Sequence, residues 1–148
     1  MQHMHQEVRI EAPVDQVWDF YCDTSRWHDW MPRGEFSDFS GPVDKVGTSS
    51  ASTVRLMGSE LQTTQEIVEV EPQRLIHEHT DDGPMDVYFR FEPDGDATRF
   101  TIDSDYEIPG RVPGFIKDFV GKGWIERNHR NSITDFKALA EAKVSAHA

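Results

Sequence analysis

His77 and His79 stand two apart in the run Arg74–Thr80, a strand-like stretch in which every second side chain shares a face. An imidazole near its ordinary pKa gives or takes a proton at neutral pH. A pair on an inner face could therefore orient a carbonyl or hydroxyl and move protons, as ring closure or dehydration requires. Leu75 against Ile76 leaves the register of this strand nearly balanced, and the cost of burying Glu78 tips the expectation toward His77 and His79 facing inward. Tyr106, at the end of a later alternating run, joins them as a candidate for catalysis. His129 sits between Ile125 and Ile133 at helical spacing, where a lone histidine is a hydrogen-bonded core residue more often than a catalyst. His77, His79 and His129 are the right ligand type for zinc, but two strand positions and a distant helical one form no zinc spacing. Neither a cysteine nor a paired carboxylate reinforces them, so no metal or other cofactor is expected. The chain also lacks a nucleophile elbow, a phosphate loop, a dinucleotide-binding glycine pattern and a zinc-protease helix.

The elements that hold these residues follow an unusual order. A strand over Glu7–Glu11 runs into Pro13, which suits the first turn of a helix because its missing N–H would be unpaired there. Val14, Val17, Trp18 and Tyr21 then give one apolar helical face, and Thr24 or Ser25 is placed to cap a second short turn carrying Trp27 and Trp30, stopped by Pro32. Strands are expected over Phe36–Ser40, Thr48–Leu56, Glu60–Val70 and Arg74–Thr80. Two more alternate through Met85, Val87, Phe89 and Phe91 and through Phe100, Ile102, Ser104 and Tyr106, with turns at Asp82-Gly83-Pro84 and Asp94-Gly95-Asp96. A long helix is expected from Pro113 to about Lys143, softened by Gly121 and Gly123 at roughly 1 kcal/mol each. With the first strand the count is seven, in a single domain over residues 1–148 whose ordered core is about 6–143, since His3, His5 and the tail after Lys143 should fray.

Several of these segments carry a resemblance: IEAPVDQVW at 10–18, WHDWMP at 27–32, VGT at 46–48, EPQRLI at 71–76 and SITDFKALAE at 132–141. They resemble the helix-grip superfamily, the START-like group that includes polyketide cyclases and dehydrases, lipid-transport domains and the birch-pollen-allergen proteins. The resemblance covers nearly the whole chain. It implies an α+β fold in which a seven-stranded curved antiparallel sheet wraps around a long C-terminal helix, with two short helices between strands 1 and 2. It also implies a cavity between sheet and helix. The superfamily uses one scaffold for catalysis, carriage and protein regulation, so the fold does not name an activity.

Aromatic side chains supply much of the apolar surface such a cavity needs. Trp18 and Phe100 read as core, and Trp27 and Trp30 as packing beneath the sheet. Met57, Phe89, Tyr106, Phe115 and Phe119 lie nearer the expected mouth or wall and join His77, His79 and His129 as ligand-binding candidates. The balance of 15 basic and 27 acidic residues gives a net charge of −12, which disfavours nucleic-acid backbones and anionic membrane surfaces. The single Cys22 cannot close an internal disulfide, and no segment has the apolar length of a membrane span, so a cytoplasmic protein without membrane insertion is expected. The expected partner is a hydrophobic small molecule (a lipid, polyketide or aromatic metabolite) bound by a monomer or weak homodimer. A cyclase or dehydrase using cavity His and Tyr residues is one alternative, and a regulatory protein-binding domain of the chaperone-activator type is another.

Overall fold

A computed structural model describes residues 2–31, 35–56, 59–81, 85–107, 114 and 124–146. In chain order these form β1 (Gln2–Ile10), α1 (Val14–Cys22), a 3-10 helix (Thr24–Asp29), β2 (Glu35–Ser37), β3 (Ser49–Leu56), β4 (Ser59–Glu71), β5 (Leu75–Thr80), β6 (Met85–Asp94), β7 (Ala97–Tyr106) and α2 (Trp124–Ala146). The expected stop at Pro32, the turn at 82–84 and the helical start at Pro113 with Gly121 and Gly123 lie outside the described residues. The seven strands make one sheet in the order β1-β7-β6-β5-β4-β3-β2, every pairing antiparallel. The curled sheet with a long C-terminal helix on its inner side is the helix-grip architecture.

Local chemistry sets the boundaries. The carbonyl of Pro13 accepts from Gln16 N and Val17 N, both at 3.1 Å, to start α1. Asp23, not Thr24 or Ser25, caps the 3-10 helix: its carboxylate accepts from Ser25 N at 3.2 Å and from Ser25 Oγ at 2.5 Å. The β6–β7 hairpin closes through Gly95 and Asp96, with Gly95 at φ +62°, a left-handed backbone that glycine adopts without cost. β2 ends at Ser37, three residues earlier than the sequence suggested, because Asp38 turns the chain at φ +57°. A bulge at Val68 separates the pair Ile67–Glu78 from the pair Glu69–His77 and bends β4, adding to the curl of the sheet. β1 is longer than expected. His3 and His5 pair with Asp105 and Asp103 of β7 rather than fraying, and Met4 between them is buried.

The concave side of the sheet is filled by α1, the 3-10 helix and α2. Tyr21 is the hub, with its ring 4.9 Å from Phe89, 5.6 Å from Trp27 and Phe91 and 5.8 Å from Trp30. From α2, Phe136 stacks on Phe100 at 4.5 Å and meets Trp30 at 4.7 Å and Phe20 at 5.3 Å. Such off-parallel contacts suit ring quadrupoles and add to the burial gained. Polar clips fix the helix. Lys137 Nζ donates to the Arg9 carbonyl at 2.7 Å, the Glu141 carboxylate accepts from Glu11 N at 2.7 Å, and Ser132 Oγ donates to the carbonyl of Trp30. Trp27 Nε1 donates to the Tyr21 carbonyl at 2.7 Å, so the small helices are tied to each other before they meet the sheet.

Phe136 has no accessible surface and touches three elements at once. Replacing it with alanine should cost about 3–5 kcal/mol of unfolding free energy, read as a shift of the urea midpoint at unchanged slope. A loss under about 1 kcal/mol would show that α2 is not held by this cluster.

Candidate functional site on the concave face

Strand pairing defines the site in crosswise rows. One row on the inner side runs Val70, Ile76, Phe89, Ile102, Gln6, and the next runs Ile67, Glu78, Val87, Ser104, Met4. The third is Ser50, Gln65, Thr80, Met85, Tyr106. Ile76 is wholly buried against Phe89, and because strand side chains alternate, Glu78 must face the same way. The inner face is thus apolar and closed toward Ile10, Phe91 and Phe100, and grows polar toward the end of the sheet bearing the β3–β4 and β5–β6 hairpins. There Thr80, Met85 and Tyr106 keep part of their surface accessible. Ser52 Oγ and Thr63 Oγ1 share a hydrogen bond of 2.7 Å on the same side, and Ser52 Oγ donates to Gln65 Oε1 at 3.3 Å.

Glu78 is the chemically unusual member. By accessible surface it is only partly buried, yet protein atoms enclose it densely. Both are true of a side chain that lines a concavity. Burial alone pushes its carboxyl up from 4.5 to about 7. The same burial, followed by the charge of Glu78, raises the Tyr21 hydroxyl well above its usual range, so the two groups lie within electrostatic reach. Neither Tyr21 Oη nor Ser104 Oγ has a hydrogen-bond partner among the described residues, though both are buried. Tyr106 is raised by burial and then by Glu126 on α2. Burial, then the charges of Asp44 and Asp19, push the Cys22 thiol up to about 12, so it holds its proton near neutral pH.

The expectation for His77 and His79 is overturned. Both lie on the convex face, because the apolar packing gained by Ile76 outweighs the cost of turning Glu78 inward. Asp86 Oδ1 receives both rings, His77 Nε2 at 2.7 Å and His79 Nδ1 at 2.9 Å, while His79 Nε2 meets Asp81 at 2.8 Å. His77 also stacks on Tyr88 at 4.1 Å between ring centres. The hydrogen bond to Asp86 first, then that to Asp81, raises the His79 pKa. Burial would raise the Asp86 carboxyl, but the hydrogen bonds from His77 and His79 prevail and hold it below its usual range. Of the other ligand-binding candidates, Phe89 faces inward but is built into the aromatic core as a wall behind the site, and Tyr106 lines the polar end. His129 is partly buried on α2, on the opposite side of the sheet from His77 and His79. Met57, Phe115 and Phe119 lie outside the described residues. Among the described residues no group of three or more His, Cys, Asp or Glu is placed to hold a metal ion, and no helix is long and apolar enough to cross a membrane.

Sequence reasoning missed Glu78, Tyr21 and Ser104. In the sequence Tyr21 and Ser104 stand out only as members of apolar periodicities. For Glu78 the available signal was Ile76 itself, since one wholly buried β-branched residue fixes its i+2 neighbour. A cleft of about 140 Å³ lies elsewhere, between the 3-10 helix and α2, walled by Asp29, Trp30, Met31, Asn128, Asn131, Ser132 and Asp135. It is polar, and it falls below the roughly 300 Å³ at which small-molecule sites begin.

A family model described as polyketide cyclase/dehydrase and lipid transport matches residues 1–141. The chain belongs to that family. Solved structures agree on the fold. TTHA0849 from Thermus thermophilus is 16% identical with a TM-score of 0.76, the match covering 96% of this chain and 99% of that one. The Zhui aromatase/cyclase from Streptomyces sp. R1128 is 20% identical with a TM-score of 0.76, covering 97% and 95%. DynU16, a protein in the dynemicin biosynthetic locus, is 22% identical with a TM-score of 0.62 over 95% of this chain and 48% of that one. No curated protein sequence matches.

Glu78 ties stability to pH with a definite sign. Below pH 4.5 the carboxyl is protonated in both folded and unfolded chains and costs nothing. Between 4.5 and about 7 the unfolded chain ionises first, so this group's contribution falls as pH rises, by roughly 3 kcal/mol in all. Glu78→Gln should therefore match the parent in urea unfolding near pH 4.5 and exceed its stability by about 2–3 kcal/mol near pH 8. Equal stability at both pH values would show that the carboxyl is not desolvated. On the other face, Asp86→Asn should return the His79 titration, followed by its ring-proton NMR signal, toward the ordinary histidine range. An unmoved titration would rule out Asp86 as the main cause.

Proposed function

We propose that this domain binds an apolar small molecule (a lipid, polyketide or aromatic metabolite) between the open end of the concave face and α2. The observation that carries this reading is the gradient along the inner face, from a sealed aromatic core to a partly accessible end formed by Glu78, Thr80, Met85 and Tyr106. An apolar wall with a few convergent polar groups is the usual chemistry of such sites. Membership of a family described by polyketide cyclisation, dehydration and lipid transport supports the same class of ligand.

A cyclase or dehydrase reading is favoured by one observation. Glu78 has a carboxyl pKa of about 7 on the concave side, which suits a general acid or base near neutral pH. On this reading Glu78 and Tyr106, not the convex-face histidines, would contact the reacting chain.

Native mass spectrometry of the purified chain, followed by denaturing extraction, should release a stoichiometric apolar compound, and thermal-shift screening should find stabilising lipids or aromatic metabolites. Thr80→Trp, which fills the accessible end with a large ring, should weaken binding about tenfold or more while leaving the fold intact by circular dichroism. An empty protein that no compound in the library stabilises would sink this reading.

A further inference from the structure

Glu78, Tyr21 and Ser104 pose a question that apolar ligand binding alone leaves open. Ser104 shares a crosswise row with Glu78, two strands away across Val87, at a spacing of about 10 Å. Tyr21 reaches the same side from α1, within range of the Glu78 charge. The Tyr21 and Ser104 hydroxyls are buried with no partner among the described residues, a state that costs free energy unless something else bonds them. We propose, resting on the binding reading above, that Glu78 and the Tyr21 hydroxyl are specificity-determining groups that recognise the carbonyl oxygen of an uncharged apolar ligand, a ketone or ester, and reject a carboxylate.

The chemistry favours a neutral acceptor. A protonated carboxyl has one O–H to donate, and a phenol as deeply buried as Tyr21 keeps its own, so the pair presents two donors. A carboxylate ligand would bring negative charge to a low-dielectric surface that already holds an acid, on a chain of net charge −12. Among the described residues, the ionisable groups on the elements of this side include Asp15, Asp19, Tyr21 and Cys22 on α1, Tyr106 on β7, and Glu126, His129, Asp135, Lys137 and Glu141 on α2; Glu126 acts on Tyr106, and Lys137 pairs with Glu141 at 2.6 Å. Glu78 itself is shifted by burial alone, so its proton follows the bulk pH across neutrality. The histidine pair cannot take this part, since it faces the other side with Asp86.

Three naphthalenes that differ in one group test this on the full chain: 2-acetonaphthone (ketone), 2-ethylnaphthalene (hydrocarbon) and 2-naphthoate (carboxylate). Affinities are read by tryptophan fluorescence near pH 5.5 and near pH 8.5, for the parent, Glu78→Gln and Tyr21→Phe. For the parent, ketone affinity should fall about tenfold between the two pH values as Glu78 loses its proton, while hydrocarbon affinity stays level and naphthoate binds weakest. Glu78→Gln retains an N–H donor, so it should bind the ketone with no pH dependence. Tyr21→Phe should weaken the ketone several-fold at both pH values and leave the hydrocarbon unchanged. A ketone profile that is the same for parent and Glu78→Gln, or parallel profiles for ketone and hydrocarbon, overturns the assignment while leaving apolar binding standing. Failure of all three probes to bind any variant overturns the binding reading, and this inference with it.

Discussion

A β-strand cannot bury Ile76 without turning Glu78 to the same side, and most of what is distinctive in this domain follows from that alternation. Ile76 lies against Phe89 on β6 and Val70 on β4, in the apolar row beneath Tyr21. Two positions on, the same strand delivers a carboxyl to the inner face, where its ionisation is suppressed. The intervening His77 and the next residue, His79, are sent to the convex face, where Asp86 receives both. One packing choice therefore sorts the ionisable groups of β5 into two environments: a desolvated acid inside, and a solvated acid–imidazole cluster outside.

The two faces respond to pH in different ways. On the convex side, His5 is raised mainly by its hydrogen bond to Asp103 and His79 mainly by that to Asp86. Each contributes stability that is present below pH 6.5 and fades as pH rises through its folded value. Asp86, held low, contributes stability above 3.8 that is lost as acid protonates it. Glu78 disfavours the folded chain as pH rises from 4.5 to about 7. These terms together lean toward greatest stability on the acid side of neutrality, a direction that a net charge of −12 alone would also give by easing self-repulsion.

The architecture was legible because its signals are long and redundant. The alternation from Met85 to Phe91 and from Phe100 to Tyr106, the apolar stripe Val17–Trp18–Tyr21 and the periodicity ending at Phe136 and Ala140 each specify an element that burial bears out. The site was less legible because β5 is six residues long, with one aliphatic residue on either face of its start. Leu75 and Ile76 are nearly interchangeable in transfer free energy, so only the rows contributed by β4 and β6 could choose between them. Burying an acid looked prohibitive because ionised glutamate was the implicit reference. The structure resolves the cost by letting the group hold its proton. The cap at Asp23 and the bulge at Val68 were invisible for a related reason, since each depends on where neighbouring backbone lies.

The pairing of β1 with β7 also bears on the order in which the chain acquires its structure. His3 meets Asp105 across 102 positions of sequence, and Lys137 and Glu141 of α2 grip the end of β1 at Arg9 and Glu11. On the ribosome, β3 to β7 can zip together hairpin by hairpin as they emerge. β1 must wait for β7, and the aromatic face of α1 is covered only when Phe89 and Phe91 of β6 and then Phe136 of α2 have been made. Loop closure over that distance carries an entropic cost before any contact rewards it, which marks the domain as a slow folder whose apolar α1 is the segment most in need of protection during synthesis.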